Sequence, residues 1–90
     1  MTIFKYQFST NDGFTIQMPA GATVLTVQLQ QGIPCIWAKL DPQQPNVARH
    51  FRVFGTGHNF VEGAESLRYV GTYQEYGGSL IWHLFECLVG

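Results

Sequence analysis

The best candidate for a ligand-binding or catalytic segment is Gly55-Thr56-Gly57-His58. Two glycines around a threonine let successive backbone amides converge, and such a geometry can hold an anion. His58 beside them could donate a hydrogen bond or transfer a proton near neutral pH. The same residues also fit a tight turn at the end of a strand, with His58 bonded to a carbonyl. The turn is the favoured interpretation because glycine turns are common in β proteins.

The last predicted strand carries His83 and Glu86. Side chains alternate along a strand, so these two lie on opposite faces and cannot form an acid–base pair unless a bulge intervenes. His83 shares its face with Ile81 and Phe85, which favours a histidine that is hydrogen-bonded in a core or an interface. The sequence therefore predicts no catalytic residue on this strand.

Other side chains contribute candidates for metal binding and for an interface. The ligand types that zinc prefers occur at His50, His58, His83, Cys35 and Cys87. None of them shows the close spacing of a zinc site, although distant strands could still assemble one. We predict no metal and no cofactor. We do predict that the turn of residues 55–58 binds a ligand, and that Trp37, Trp82 and His83 contribute to an interface.

The two cysteines, Cys35 and Cys87, each lie in an apolar run. We expect both to be reduced thiols that pack as small hydrophobic groups. A disulfide between them stays open on count alone, although a cytoplasmic setting disfavours it.

Short β-strands must position these residues, because the dominant period of the sequence is two. Strand-like segments occur at about residues 4–8, 14–18, 22–30, 33–40, 49–55, 67–74 and 80–87. The turn signal Asn11-Asp12-Gly13 predicts that the first two strands pair as a β-hairpin. In the third strand Leu25, Val27 and Leu29 are expected on one face. The fourth strand is apolar on both faces, which suits a central strand or a subunit interface.

The fold class that follows is all-β, with about seven short antiparallel strands in a small sandwich or barrel. At most one short helical turn is expected, near residues 61–66. Ninety residues make one domain, and we predict a single β domain over residues 1–90.

Composition restricts the classes of function. Hydrophobic residues make up 46% of the chain and charged residues 12%, about half the usual charged share of roughly 25%. Because so few charged residues are available to cover the surface, part of it must be apolar and can contact a partner. This favours a homo-oligomer, dimer or higher. The net charge of −1 without a basic cluster argues against nucleic acid. No apolar run is long enough to span a membrane and no secretion signal is present, so we expect a cytoplasmic protein.

Several segments resemble a family of short uncharacterised proteins from bacteriophages and other mobile bacterial DNA. The resemblance covers nearly the whole chain, and its most specific parts are the Gly55–His58 segment and the His-x-Phe-Glu ending at residues 83–86. It implies a stand-alone domain in a phage or mobile-element setting. It implies no reaction.

Three functions are compatible with these observations. The favoured one is a non-enzymatic binding module that self-associates and engages a protein or a small ligand. The second is an enzyme or anion-binding protein that acts at the Gly55–His58 turn, with His58 as acid or base. The third is a structural component of a phage particle or assembly.

Overall fold

Seven β-strands and one 3-10 turn make up residues 1–60 and 66–88, the part of the chain that the computed structural model describes. The strands are β1 (Thr2–Gln7), β2 (Gly13–Pro19), β3 (Thr23–Gln30), β4 (Ile33–Leu40), β5 (Asn46–Gly55), β6 (Leu67–Glu75) and β7 (Leu80–Cys87), and the 3-10 turn spans Tyr76–Gly78. The predicted helical turn near residues 61–66 falls almost wholly outside the described residues.

The strands form two antiparallel sheets that pack as a sandwich. One sheet has the order β1-β4-β3 and the other the order β2-β5-β7-β6. The predicted all-β class with about seven antiparallel strands is confirmed, and of the two architectures left open the sandwich is the one observed. Within residues 1–60 and 66–88, no helix has the length and hydrophobicity that crossing a membrane requires.

The predicted hairpin of the first two strands is wrong. β1 pairs with β4, and β2 pairs with β5 in the other sheet. Each of these strands has one apolar side, and facing sheets bury the two sides against each other. Phe8 and Phe14 accordingly stack with ring centroids 4.6 Å apart. Asn11-Asp12-Gly13 is therefore a crossover between sheets, anchored where the Val53 amide donates to the Asp12 carbonyl at 3.0 Å.

The expected face pattern of β3 is wrong at Leu25. A bulge between Val24 and Thr26 shifts the register, so Val24 and Val27 are both buried while Leu25 is 45% exposed. A bulge inserts one unpaired residue, and every residue before it then changes face relative to simple alternation. The bulge thus adds a second buried valine to the core.

Of the two roles expected for the fourth strand, a central position in its sheet is the one observed. β4 lies between β1 and β3, and its residues Cys35, Ile36, Ala38 and Leu40 are inaccessible to solvent. The β3–β4 turn has positive φ at both Gln31 and Gly32, as two-residue hairpins of type I′ require. Cys35 lies in one sheet and Cys87 in the other, and they are not bridged to each other.

The edge strands β3 and β6 pack against each other and close one long side of the sandwich. They approach closely at Gly71, beside a second bulge between Tyr69 and Gly71. A Cβ atom at position 71 would lie 2.7 Å from Val27 Cγ1. Only glycine lets the two backbones approach so closely.

A buried carboxylate secures one end of the sandwich. Glu86 of β7 is 2% exposed and faces the interior, where it forms salt bridges with Arg49 of β5 and Arg68 of β6. Arg49 Nη2 lies 3.0 Å from Glu86 Oε1, and Arg68 Nη2 lies 2.9 Å from the same oxygen. Arg49 Nη1 also donates to the Ala22 carbonyl at 2.8 Å, just before β3. This Arg49–Glu86–Arg68 triad joins three strands of one sheet to the loop that enters the other.

The triad keeps Glu86 ionised although it is buried. Burial by itself raises the pKa of the Glu86 carboxyl, but hydrogen bonds from Arg49 and Arg68 and the charges of both arginines outweigh it. The net pKa therefore lies below the ordinary value of a glutamate. Because the pKa is depressed in the folded state, the resulting stability is present at neutral pH and is lost as the pH falls through the folded-state pKa.

We expect Glu86→Gln to lower the free energy of unfolding by about 3–5 kcal/mol at neutral pH, since it leaves Arg49 without its carboxylate. Stability of the wild type should decline as the pH falls from about 4.3, and the decline should be shallower in Glu86→Gln. Urea unfolding followed by circular dichroism across this pH range measures both effects.

The matched control is Asp41→Asn, in a loop, where the side chain accepts a bond from the Gln43 amide that asparagine can also accept. It should keep the wild-type acid dependence. Arg68→Gln should cost less than Glu86→Gln because Arg49 still holds the carboxylate. Equal acid slopes in wild type and Glu86→Gln would contradict this role of the triad.

Candidate functional site

The predicted segment Gly55–His58 forms a tight turn at the end of β5. The His58 amide donates to the Gly55 carbonyl at 3.0 Å, and Gly57 has φ of +85°. The Thr56 amide donates to the Ile81 carbonyl of β7 at 3.1 Å. Two of the amides that an anion cradle would use are therefore committed to protein carbonyls. Ligand binding at this turn stays a prediction.

The His58 ring covers Gly55. A Cβ atom on Gly55 would lie 2.7 Å from two ring atoms of His58, so only glycine permits this packing. The ring also meets Trp82 edge-on, with centroids 6.4 Å apart. His58 itself is exposed, and the turn borders a cavity of about 170 Å³ whose far wall is formed by residues 79–82. The turn thus provides an accessible imidazole beside a small hollow.

His83 is fixed by hydroxyl groups on the outer face of the four-stranded sheet. Its Nε2 lies 2.7 Å from Thr56 Oγ1, and its Nδ1 lies 3.0 Å from Thr72 Oγ1. Thr72 Oγ1 in turn lies 2.5 Å from the Tyr69 hydroxyl. Glu86 faces the interior, so the expected separation of His83 and Glu86 onto opposite faces is confirmed. The histidine serves to tie the Gly55–His58 turn to the sheet.

The three predicted interface residues lie on three different surfaces. Trp37 is on the outer side of β4, because its neighbours Ile36 and Ala38 are the buried ones. Trp82 faces the core and packs against it. His83 is on the outer face of the other sheet. They cannot form one continuous patch, and an interface role for any of them stays a prediction.

A larger cleft opens at the end of the sandwich opposite the triad, and sequence reasoning did not predict it. Its volume is about 520 Å³. Its walls come from the β1–β2 crossover, the β3–β4 turn and the turn before β7, with Trp82 of β7 on one side. Trp82 and Leu80 also border the cavity beside His58, so the predicted turn and the cleft share a wall.

A hydrogen-bond network lies at the cleft. Trp82 Nε1 donates to Glu75 Oε1 at 2.9 Å, and Thr10 Oγ1 donates to the same oxygen at 3.2 Å. Thr10 Oγ1 also lies 2.8 Å from the Tyr73 hydroxyl. Burial raises the pKa of the Tyr73 phenol, the Glu75 charge adds to the rise, and the bond with Thr10 opposes it. Tyr73 is therefore a neutral hydroxyl at physiological pH.

Thr10 and Glu75 lie 65 positions apart in the chain, and this separation explains why no local motif revealed them. One signal was available. Trp82 belongs to the same strand face as Leu84, and a tryptophan on a core face needs an acceptor for its indole N–H. Within the described ranges 1–60 and 66–88, no three histidine, cysteine, aspartate or glutamate side chains are grouped to hold a metal ion.

The family described as "Domain of unknown function (DUF7352)" matches residues 1–88. The chain belongs to this family. The expected membership of an uncharacterised family is thereby confirmed. No curated protein and no solved structure matches the chain, so what the domain does must be argued from its own geometry.

We expect Thr10→Val to lower the free energy of unfolding by about 1–2 kcal/mol, since it removes a hydroxyl that bonds both Tyr73 and Glu75. The pKa of Tyr73 should rise further, because the bond that opposes the rise is lost. Denaturant unfolding and an NMR titration of the Tyr73 ring provide the two measurements.

Thr15→Val is the control, because the Thr15 hydroxyl lies 2.9 Å from Nδ1 of an exposed residue, His50, and bonds neither Tyr73 nor Glu75. It should change neither quantity appreciably. A Tyr73 pKa that falls in Thr10→Val would show that the network does not act as described.

Proposed function

We propose that the domain is a non-enzymatic binding module that self-associates by pairing β1 with β1 of a second copy. β1 is an edge strand of its sheet. The observation that carries the proposal is that this edge combines outward-pointing amides with exposed apolar side chains. An edge of this kind is a template for adding a strand from another chain.

The backbone of β1 determines which groups remain available. The Phe8 amide donates to the Pro34 carbonyl of β4 at 3.1 Å, and β1 pairs with β4 without a shift in register. Backbone groups alternate between the two sides of a strand. Residues 2, 4 and 6 therefore bond to β4, and the amides of Ile3, Lys5 and Gln7 point away from the sheet.

Side chains favour β1 over the other edges. Met1 is 80% exposed, Ile3 57% and Phe4 42%. The edges β3 and β6 already pack against each other. The remaining edge, β2, exposes Thr15 and Gln17, while its Phe14 and Ile16 are partly covered. β1 is thus the edge at which pairing would cover the most apolar surface.

Symmetry and charge select a register for the pair. A two-fold axis that joins two copies of β1 pairs odd-numbered residues with odd-numbered ones and even-numbered residues with even-numbered ones. The axis can therefore pass through Ile3, Phe4 or Lys5. Centring on Lys5 would set two ammonium groups opposite each other. Centring on Phe4 sets the two Phe4 rings opposite each other and places Ile3 against Lys5 of the second copy. Lys5 Nζ already lies 2.5 Å from Gln30 Oε1, which draws its charge over the sheet and away from the edge.

The setting of the module is a further part of the proposal. We place it in the cytoplasm, in a protein carried on phage or other mobile bacterial DNA, where it engages a protein or a small ligand. The low charged fraction and the resemblance of the Gly55–His58 and His83–Glu86 segments support this placement. The genes that flank members of the family would test the mobile-element setting.

We expect Lys5→Pro to abolish self-association without unfolding the domain. Proline removes the outward amide of residue 5 but no bond to β4, and proline is tolerated at edge strands. Sedimentation equilibrium of the full chain should give a dimer for wild type and a monomer for Lys5→Pro, with unchanged circular dichroism.

The matched control is Lys5→Thr, which removes the same charge and the contact with Gln30 but keeps the amide. It should remain dimeric. A wild type that sediments as a monomer, or a Lys5→Pro variant that still dimerises, would rule out pairing through β1.

The alternative function, binding of an anion at the Gly55–His58 turn, rests on the exposed His58 beside the cavity of about 170 Å³. It predicts that inorganic phosphate shifts the Gly57 amide signal of the isotope-labelled chain in a saturable manner. His58→Ala should remove this shift and His50→Ala should keep it. A linear drift without saturation would eliminate the alternative.

A further inference from the structure

We propose that the large cleft binds a primary ammonium group on a short apolar stem, with the Glu75 carboxylate as its counter-ion. This assignment is independent of pairing through β1, because the cleft lies at the end of the sandwich and is lined by neither Ile3 nor Lys5.

Glu75 is positioned before any ligand arrives. Its Oε1 accepts bonds from both Trp82 Nε1 and Thr10 Oγ1, at 2.9 and 3.2 Å. Among residues 1–60 and 66–88, no donor bonds Oε2. Two protein donors thus fix the orientation of the carboxylate and leave one oxygen for an incoming N–H group. A charge-assisted bond of this kind is roughly twice as strong as a neutral one.

The charge at the cleft selects a cation. Asp12 and Glu75 are the charged members of the described lining, and both are acidic. Arg52 donates to the Asp12 carbonyl at 3.2 Å, but its guanidinium group lies over the Phe54 ring, with 5.2 Å between Cζ and the centroid. Arg52 is therefore directed to the outer face of the sheet, and an anion would meet two like charges in the cleft.

The walls select an organic cation with an apolar stem. Phe8, Tyr76 and Trp82 supply aromatic surface, and Leu80 and Ile33 supply aliphatic surface. Aromatic rings attract ammonium groups and also accept methylene carbons. The volume of about 520 Å³ falls within the roughly 300–1,000 Å³ typical of small-molecule sites. A free alkylamine and the side chain of a lysine in a peptide share this chemistry.

The test is an NMR titration of the full isotope-labelled chain with n-butylammonium chloride. The indole N–H of Trp82 should shift and saturate, while the indole N–H of Trp37, on the outer side of the other sheet, should stay constant as an internal reference. n-Butanol and sodium butyrate, which have the same stem, should produce no saturable shift. These comparisons use the wild type and do not depend on the folding of any variant.

Two variants locate the charge. Glu75→Gln keeps an oxygen that accepts from Trp82 and Thr10 but removes the negative charge, and it should weaken butylammonium binding by about tenfold or more. Asp41→Asn makes the same chemical change beyond the opposite end of β4 and should leave the affinity unchanged.

A further titration, with a peptide, distinguishes the two sources of the cation. Tighter binding of a glycine-flanked lysine peptide than of butylammonium would support the proposal and assign the ligand to a protein chain. Binding of the free amine alone would support it and assign a small molecule. An equal Trp82 shift with butanol, no shift with butylammonium or the peptide, or unchanged affinity in Glu75→Gln would overturn it.

Discussion

The salt-bridged carboxylate of Glu86 is the constraint on which the rest of the sandwich depends. Removing a carboxylate from water costs several kcal/mol, and only well-formed bonds to both oxygens compensate that cost. Here Arg49 of β5 donates to both oxygens, and Arg68 of β6 donates to Oε1 as well. A slip of β7 by one residue would turn Glu86 to the solvent side of the sheet and His83 to the interior. The triad therefore makes every other register of β7 unfavourable.

The register of β7 determines what happens at the other end of the strand. With Glu86 inside, Leu84 and Trp82 are also inside, and Trp82 reaches Glu75 at the cleft. His83 is then outside, where Thr56 and Thr72 hold its ring. One strand thus connects a charged structural cluster, a histidine that anchors the turn after β5, and the tryptophan shared by both cavities.

The sequence reveals local features of this fold better than it reveals partners. The bounds of β4 and β7 agree with their apolar runs, because alternation and turn residues are visible in a single strand. The pairing of β1 with β4 was not foreseen, since the Asn11-Asp12-Gly13 signal marks a bend without indicating whether the chain stays in one sheet. Likewise, the glycines of Gly55–His58 predict a turn from the local sequence. The contact of Thr10 with Glu75 depends on how the two sheets pack, which the local sequence does not reveal.

The close approach of Gly71 to Val27 has a consequence for how this family can evolve. The backbone of one sheet lies against a methyl group of the other, with no room for a Cβ atom between them. A larger residue can therefore replace Gly71 only if a smaller residue replaces Val27, or if β3 and β6 move apart. Substitutions at the two positions should therefore be correlated, and aligned relatives should show them changing together.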